Sequence, residues 1–200
     1  MIDIYKATDN DIEAIMQIHE QAFPDFFLTT LGSDFLRLYY KCMCQSEEAV
    51  TICAKVNGKM VGFATCSYHS KGFNSLLIKR NVFAFGLMSL KLLFTRPKAI
   101  LRLVKNLDKK DEKKSIEDNG EYAELYSIAV LPGNQGLGIG KKLLTALEED
   151  VARINKKISL TTDFYNNEKT IGFYHSLGYQ DYYEFMTYPN RLMWRMIKDL

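Results

Sequence analysis

Residues 132–144, PGNQGLGIGKKLL, set glycines at 133, 136, 138 and 140 and then run into an apolar helical pattern. Small residues let backbone N–H groups converge, and the positive end of a helix dipole behind them favours an anion such as phosphate. Two familiar phosphate-binding spellings are excluded. The ATP-type loop needs a glycine where Gln135 stands and a hydroxyl for magnesium where Lys142 stands. The dinucleotide pattern fails because Gly136 and Gly138 are followed by Lys141, and Gly138 and Gly140 by Leu143. A diphosphate held without a metal remains, alongside the plainer alternative of a glycine-rich turn from strand to helix. No metal is expected elsewhere: Cys42 and Cys44 are one residue apart with no second pair, and His19, His69 and His175 are scattered.

Gln135-x-x-Gly138-x-Gly140, with ELYSIAVLP (124–132) before it and NNEKTIGFYHSLGY (166–179) after it, resembles the GNAT family of N-acetyltransferases. The resemblance implies an α/β (α+β) fold with a twisted, mixed, mainly antiparallel sheet flanked by helices. Its fourth and fifth strands would splay so that acetyl-coenzyme A lies in the gap. By position, the backbone of Ile128 and Val130 would pair with the pantetheine amides as an added strand does. The amides of Gln135, Gly136, Leu137, Gly138, Ile139, Gly140 and Lys141 would cradle the pyrophosphate, and the Asn167 side chain would lie against the cofactor.

Acetyl transfer to an amine poses two proton problems. An alkylammonium with a pKa of about 10 must lose a proton before it attacks, and the departing thiolate must gain one. The resemblance gives the second task to Tyr174, whose phenol is protonated at neutral pH, and the first to Glu124, which desolvation among Tyr122, Tyr126 and the apolar strand residues would make more basic. Glu124 could instead act through water, or simply bind the amine. The acceptor side of this fold nominates Phe26, Phe27, Tyr68 and Tyr122, the phenylalanines as an aromatic wall or as plugs of the sheet edge.

The reading is an N-acetyltransferase acting by direct attack in a ternary complex on a small-molecule primary amine, such as an amino sugar. Acetylation of a protein lysine or N-terminal amine, and a non-catalytic acyl-coenzyme A binding module, are the alternatives.

The elements that must position these groups follow from pattern. A short strand leads into a helix with Ile12, Ile15, Met16 and Ile18 on one stripe, and SDFLRLYYKCM restarts a helix. Asn57-Gly58 joins two β-rich runs as a hairpin. Apolar clusters over 75–107, divided at Arg96-Pro97, predict an insertion of two helices absent from the family's minimal core. Strand, glycine loop, helix, strand, helix and a closing hairpin around Pro189-Asn190 complete the chain.

At 200 residues, 47% apolar and 25% charged, one domain over 1–200 is expected. The absence of a secretory pattern at the start and the unpaired-looking cysteines predict a cytoplasmic protein. Net charge is +2, yet residues 71–110 hold ten Lys or Arg against the single acid Asp108. That stretch could attract an anionic acceptor, rest on an acidic membrane, or form a homodimer contact with a solvated basic face, the last ranking first. Nucleic acid ranks last, for want of a motif.

Overall fold

The computed structural model describes residues 1–100, 118–187 and 190–200. The chain runs β1 (Ile2–Lys6), α1 (Ile12–Ala22), the one-turn α2 (Phe27–Thr30), α3 (Ser33–Cys44), β2 (Ala49–Val56), β3 (Lys59–Ser67), α4 (Phe73–Arg80) and α5 (Val82–Thr95). It continues through β4 (Ala123–Val130), α6 (Ile139–Val151), β5 (Lys157–Asp163), α7 (Glu168–Ser176), β6 (Gln180–Thr187) and β7 (Arg191–Asp199). The strands form one sheet in the order β1-β2-β3-β4-β5-β7-β6, antiparallel except for β4 and β5.

The β2–β3 hairpin closes as its sequence predicts, with Asn57 and Gly58 both at positive φ, 51° and 77°. On one face of the sheet α6 buries Leu143, Leu144 and Leu147 completely. Each such leucine contributes about 2 kcal/mol through removal from water. α1 and α3 cover the other face through Ile15, Leu36 and Tyr40. The insertion differs from its pattern: the helical stretch breaks at Asn81 into α4 and α5, and α5 stops at Thr95 before helical backbone resumes at Pro97. The rest of the insertion, residues 101–117, and Pro189 of the closing turn lie outside the described residues.

Two irregularities shape the middle of the sheet. Parallel pairing of β4 with β5 covers only Ala123–Leu125 against Ile158–Leu160, so β4 runs on from Tyr126 with its β5-side edge unpaired. The register of β3 against β4 slips between Thr65 and Cys66, leaving Tyr126 as the extra residue of a bulge. Ala123, Leu125, Ile128 and Val130 therefore belong to the α6 face, whereas Tyr126 meets Phe73 of α4 and Ser127 reaches Tyr40 of α3 on the opposite face.

Candidate active site

The open edge of β4 carries backbone groups that point away from β3. Leu131 donates its N–H to Val61 O on β3 at 2.8 Å. Strand alternation then turns the N–H and C=O groups of Ile128 and Val130 toward the gap. The Val130 carbonyl there accepts a bond from Gln135 Nε2 at 3.3 Å, which ties the loop back to its strand.

Beyond that strand, Gly136 and Gly138 adopt φ of 79° and 74°, and a Cβ at either would meet nothing within 4 Å. The glycines are there for backbone direction and open space. Gly138 is the residue before α6, and the first hydrogen bond of that helix runs from Lys142 N to Gly138 O at 3.1 Å. The six preceding N–H groups, Gly136 through Lys141, donate to no described residue. Helix starts always leave about four N–H groups unpaired; here the run is six long, at a dipole's positive end, an arrangement suited to an anion.

Tyr174 projects from α7 into the α6 side of the core, 6% exposed, with its ring edge-on to Tyr179 at 5.5 Å. Burial raises its pKa well above that of a free phenol. Its hydroxyl has no hydrogen-bond partner among the described residues. Asn167 precedes α7 and spends its Nδ2 on Thr162 Oγ1 (2.6 Å) and Asp163 O (3.0 Å), so it anchors the end of β5.

Glu124 sits in the middle of the short β4–β5 pairing, opposite Ser159. Its Oε2 accepts from Ser70 Oγ at 2.5 Å and its Oε1 from Arg195 Nη1 at 3.2 Å. Arg195 also donates to Ser159 Oγ, and its Nε lies 3.8 Å from Asp118 Oδ2, close enough for an ion pair but too far for a hydrogen bond. Asp118 in turn accepts from the hydroxyls of Tyr122 and Tyr183. Burial pushes the Asp118 carboxyl up, but those two hydroxyls, the Gly120 N–H and the Arg195 charge outweigh it, and the net shift is downward. Burial, aided by the bond to Asp118, pushes Tyr183 up to about 12. The side chains of Asp118, Glu124 and Arg195 are only 4%, 16% and 13% exposed. Two carboxylates thus share one guanidinium, and the cluster keeps a surplus negative charge. Beside it, Tyr126 Oη and Ser67 Oγ are buried without a well-formed hydrogen bond.

The four expected acceptor residues separate. Tyr122 belongs to the cluster, its ring 5.2 Å beneath the Arg195 guanidinium. Phe26 is 42% exposed, with Arg191 from the β6–β7 hairpin over its ring at 5.1 Å and Phe23 behind it at 4.8 Å. Phe27 packs with Leu31 and Phe35. Tyr68 sits in the α6-side core, with its hydroxyl on Asp150 Oδ1 at 2.6 Å, and is not brought together with Glu124. Two features escaped the sequence: the Asp118–Arg195 partnership, and the chain from buried His19 Nδ1 to Tyr40 Oη (2.6 Å) to Ser127 Oγ (3.4 Å). Arg195 left a signal, a charge between Met193 and Met196 in a strand with neighbours on both sides.

A family model described as acetyltransferase (GNAT) family matches residues 12–179. The chain belongs to this family. The family is one of acetyltransferases. A Salmonella typhimurium L-methionine sulfoximine/L-methionine sulfone acetyltransferase is 34% identical over 62 residues, 31% of this chain. The match spans 36% of that relative's length. GNAT-like solved structures share the fold. The ribosomal-protein-S18-alanine N-acetyltransferase of Escherichia coli has a TM-score of 0.62 at 18% identity, over 100% of this chain and 94% of its own. The yncA protein of Salmonella typhimurium, solved with its cofactor acetyl-CoA, gives the same four values.

Proposed function

We propose that the protein is an N-acetyltransferase that moves the acetyl group of acetyl-coenzyme A to the primary amine of a small molecule, both substrates being bound together. The observation that carries this reading is the pairing of six unpartnered N–H groups at the start of α6 with the open β4 edge beside them. The first suits a diphosphate and the second an extended amide chain. Acetyl-coenzyme A, when bound, supplies an activated acyl group on a good leaving thiol.

The chain's own residues supply the rest. Tyr174, kept protonated by burial, holds a proton for the departing sulfur. Glu124 draws the acceptor's ammonium to the surplus negative charge of its cluster, and the amine gives up its proton to water there. With both Glu124 oxygens already bonded to Ser70 and Arg195, the carboxylate suits anchoring better than direct abstraction. Phe26 and Arg191 form an outer rim that suits the flat face of a sugar or an apolar side chain.

A thiol-release screen tests the reading. Acetyl-coenzyme A would be offered with nucleotide-linked amino sugars, amino acids including L-methionine sulfoximine, and short peptides. Release with a small amine and not with the peptides is the expected result. Release with peptides alone would establish protein acetylation instead, and binding of acetyl-coenzyme A without release in any arm would establish a silent module.

A further inference from the structure

The described part of the insertion, residues 71–100, carries Lys71, Lys79, Arg80, Lys91, Arg96 and Lys98 and no acidic residue. It also carries a large exposed apolar surface. One side of α5 is spoken for: Phe85, Met88 and Leu92 pack with Leu31 and Phe35. On the other side Phe83, Leu87, Leu90 and Phe94 recur at helical spacing and are 87%, 71%, 55% and 79% exposed. Ile78 at the end of α4 extends this surface at 45%. Scattered exposed leucines need no explanation, but a contiguous patch with two nearly naked phenylalanines marks a contact surface.

The charges say what kind of contact. Lys91 pairs with Asp34 and Arg96 donates to the Thr30 carbonyl, so these two secure the helix to the body of the protein. Lys79, Arg80 and Lys98 are exposed beyond the two ends of the stripe. A second copy of the chain is a poor occupant, because a two-fold contact places each patch against itself and would bring the basic ends of both copies together. An anionic bilayer offers an apolar interior for the phenylalanines and negative phosphates for the basic ends, in one surface. The helix is the right length to lie on that surface. Its 14 residues extend about 21 Å, against a hydrocarbon core of about 30 Å, and no described helix is long and apolar enough to cross a membrane.

We propose that the α4–α5 face seats the protein on an anionic lipid bilayer. Phe83, Leu87, Leu90 and Phe94 enter the boundary between headgroups and acyl chains, and Lys79, Arg80 and Lys98 meet the headgroup phosphates. The seat adjoins the acceptor side of the site, since Phe73, the first residue of α4, packs against Tyr126 of the β4 bulge at 5.6 Å between ring centres.

The test is flotation of the full chain with vesicles of phosphatidylcholine alone, or of phosphatidylcholine and phosphatidylglycerol in equal amounts, at low and high salt. Binding is expected with the anionic mixture, weakened by salt, and largely absent with phosphatidylcholine. Exchange of Phe83 and Phe94 together for serine is expected to lower the partition coefficient by on the order of tenfold or more. Exchange of Lys79 and Arg80 together for glutamate is expected to lower binding to the anionic mixture by about tenfold or more. All four side chains are exposed, so the unfolding midpoint of each variant should stay near that of the parent, which separates lost docking from lost folding. Failure of the parent chain to float with anionic vesicles would overturn the proposal. So would flotation indifferent to both variants, or a dimer in sedimentation equilibrium that the serine variant splits while neither form floats.

Discussion

Glu124 and Arg195, 71 positions apart in the chain, share a 3.2 Å hydrogen bond in the short stretch where β4 and β5 pair. The sequence left Glu124 as a base made stronger by desolvation, a base acting through water, or an anchor for the amine, and the structure gives it a guanidinium partner and a serine hydroxyl. A carboxylate held this way can attract a cation without taking its proton. Glu124→Gln keeps the shape while removing one negative charge: the amide oxygen can still accept from Arg195, and the amide NH2 would donate to Ser70 Oγ in place of accepting from it. It should raise KM for the amine by on the order of tenfold and lower kcat by less. The acid limb of the kcat/KM profile should stay in place, because that limb would report the amine and not the carboxylate. A collapse of kcat with loss of the acid limb would make Glu124 the direct base.

Tyr174→Phe removes a hydroxyl that makes no hydrogen bond among the described residues, so thermal stability should change by no more than about 0.5 kcal/mol. Turnover should fall at least about tenfold, and the dissociation constant for acetyl-coenzyme A should hardly move. Single-turnover kinetics with a small amine would read this directly. Turnover equal to that of the parent enzyme would remove Tyr174 from the proton transfer.

What the sequence carried best was local. Asn57-Gly58 dictates a hairpin by backbone conformation alone, and the leucines of α6 repeat at a helical period, so both stand as expected. The glycine loop was legible for the same reason. Contacts that depend on register were not. Arg195 reaches Glu124 only because β7 pairs with β5 and β5 with β4, and a strand's neighbours cannot be read from its own residues. Asp118 lies at the end of a run of charged and polar residues, yet its side chain is nearly buried under two tyrosine hydroxyls. Tyr68 could have been placed from alternation, since Cys66 and Tyr68 are two apart and both enter the α6-side core. The break at Asn81 lacks a proline or glycine to announce it. Asn81 Nδ2 bonds the Leu77 carbonyl, and such side-chain competition with helix bonds is weakly encoded.

The conformation of Gly138 separates its fold role from its ligand role. At φ of 74°, with nothing near a Cβ, Gly138→Val should cost the fold roughly 1–2 kcal/mol in backbone strain without any clash. Coenzyme binding should suffer more, with a dissociation constant raised by on the order of tenfold or more, because the added side chain stands at the mouth of the amide cradle. Gly133→Ala is the control, since φ there is not positive and the space is open. Calorimetric titration with coenzyme A would read both. An unchanged constant for the valine variant would place the pyrophosphate elsewhere.

His19 supplies a pH dependence of stability with a definite sign. It is 2% exposed beside Tyr40 and Phe23, and burial pushes its pKa down from 6.5 to about 4. The unfolded chain therefore takes up a proton at this position before the folded chain does. Between the two values the unfolded state holds more protons, so stability rises with pH there and is lost on acidification. Above the upper value both states are neutral and the contribution is complete. From about pH 7 to about pH 5 the loss from this one group is roughly 2 kcal/mol. Urea unfolding of the parent and of His19→Gln at both values would check it. Glutamine can keep a bond to the Tyr40 hydroxyl but does not titrate, so the variant should lose less stability on acidification by about that amount. Equal losses in the two proteins would mean that His19 is protonated in the fold at mildly acidic pH.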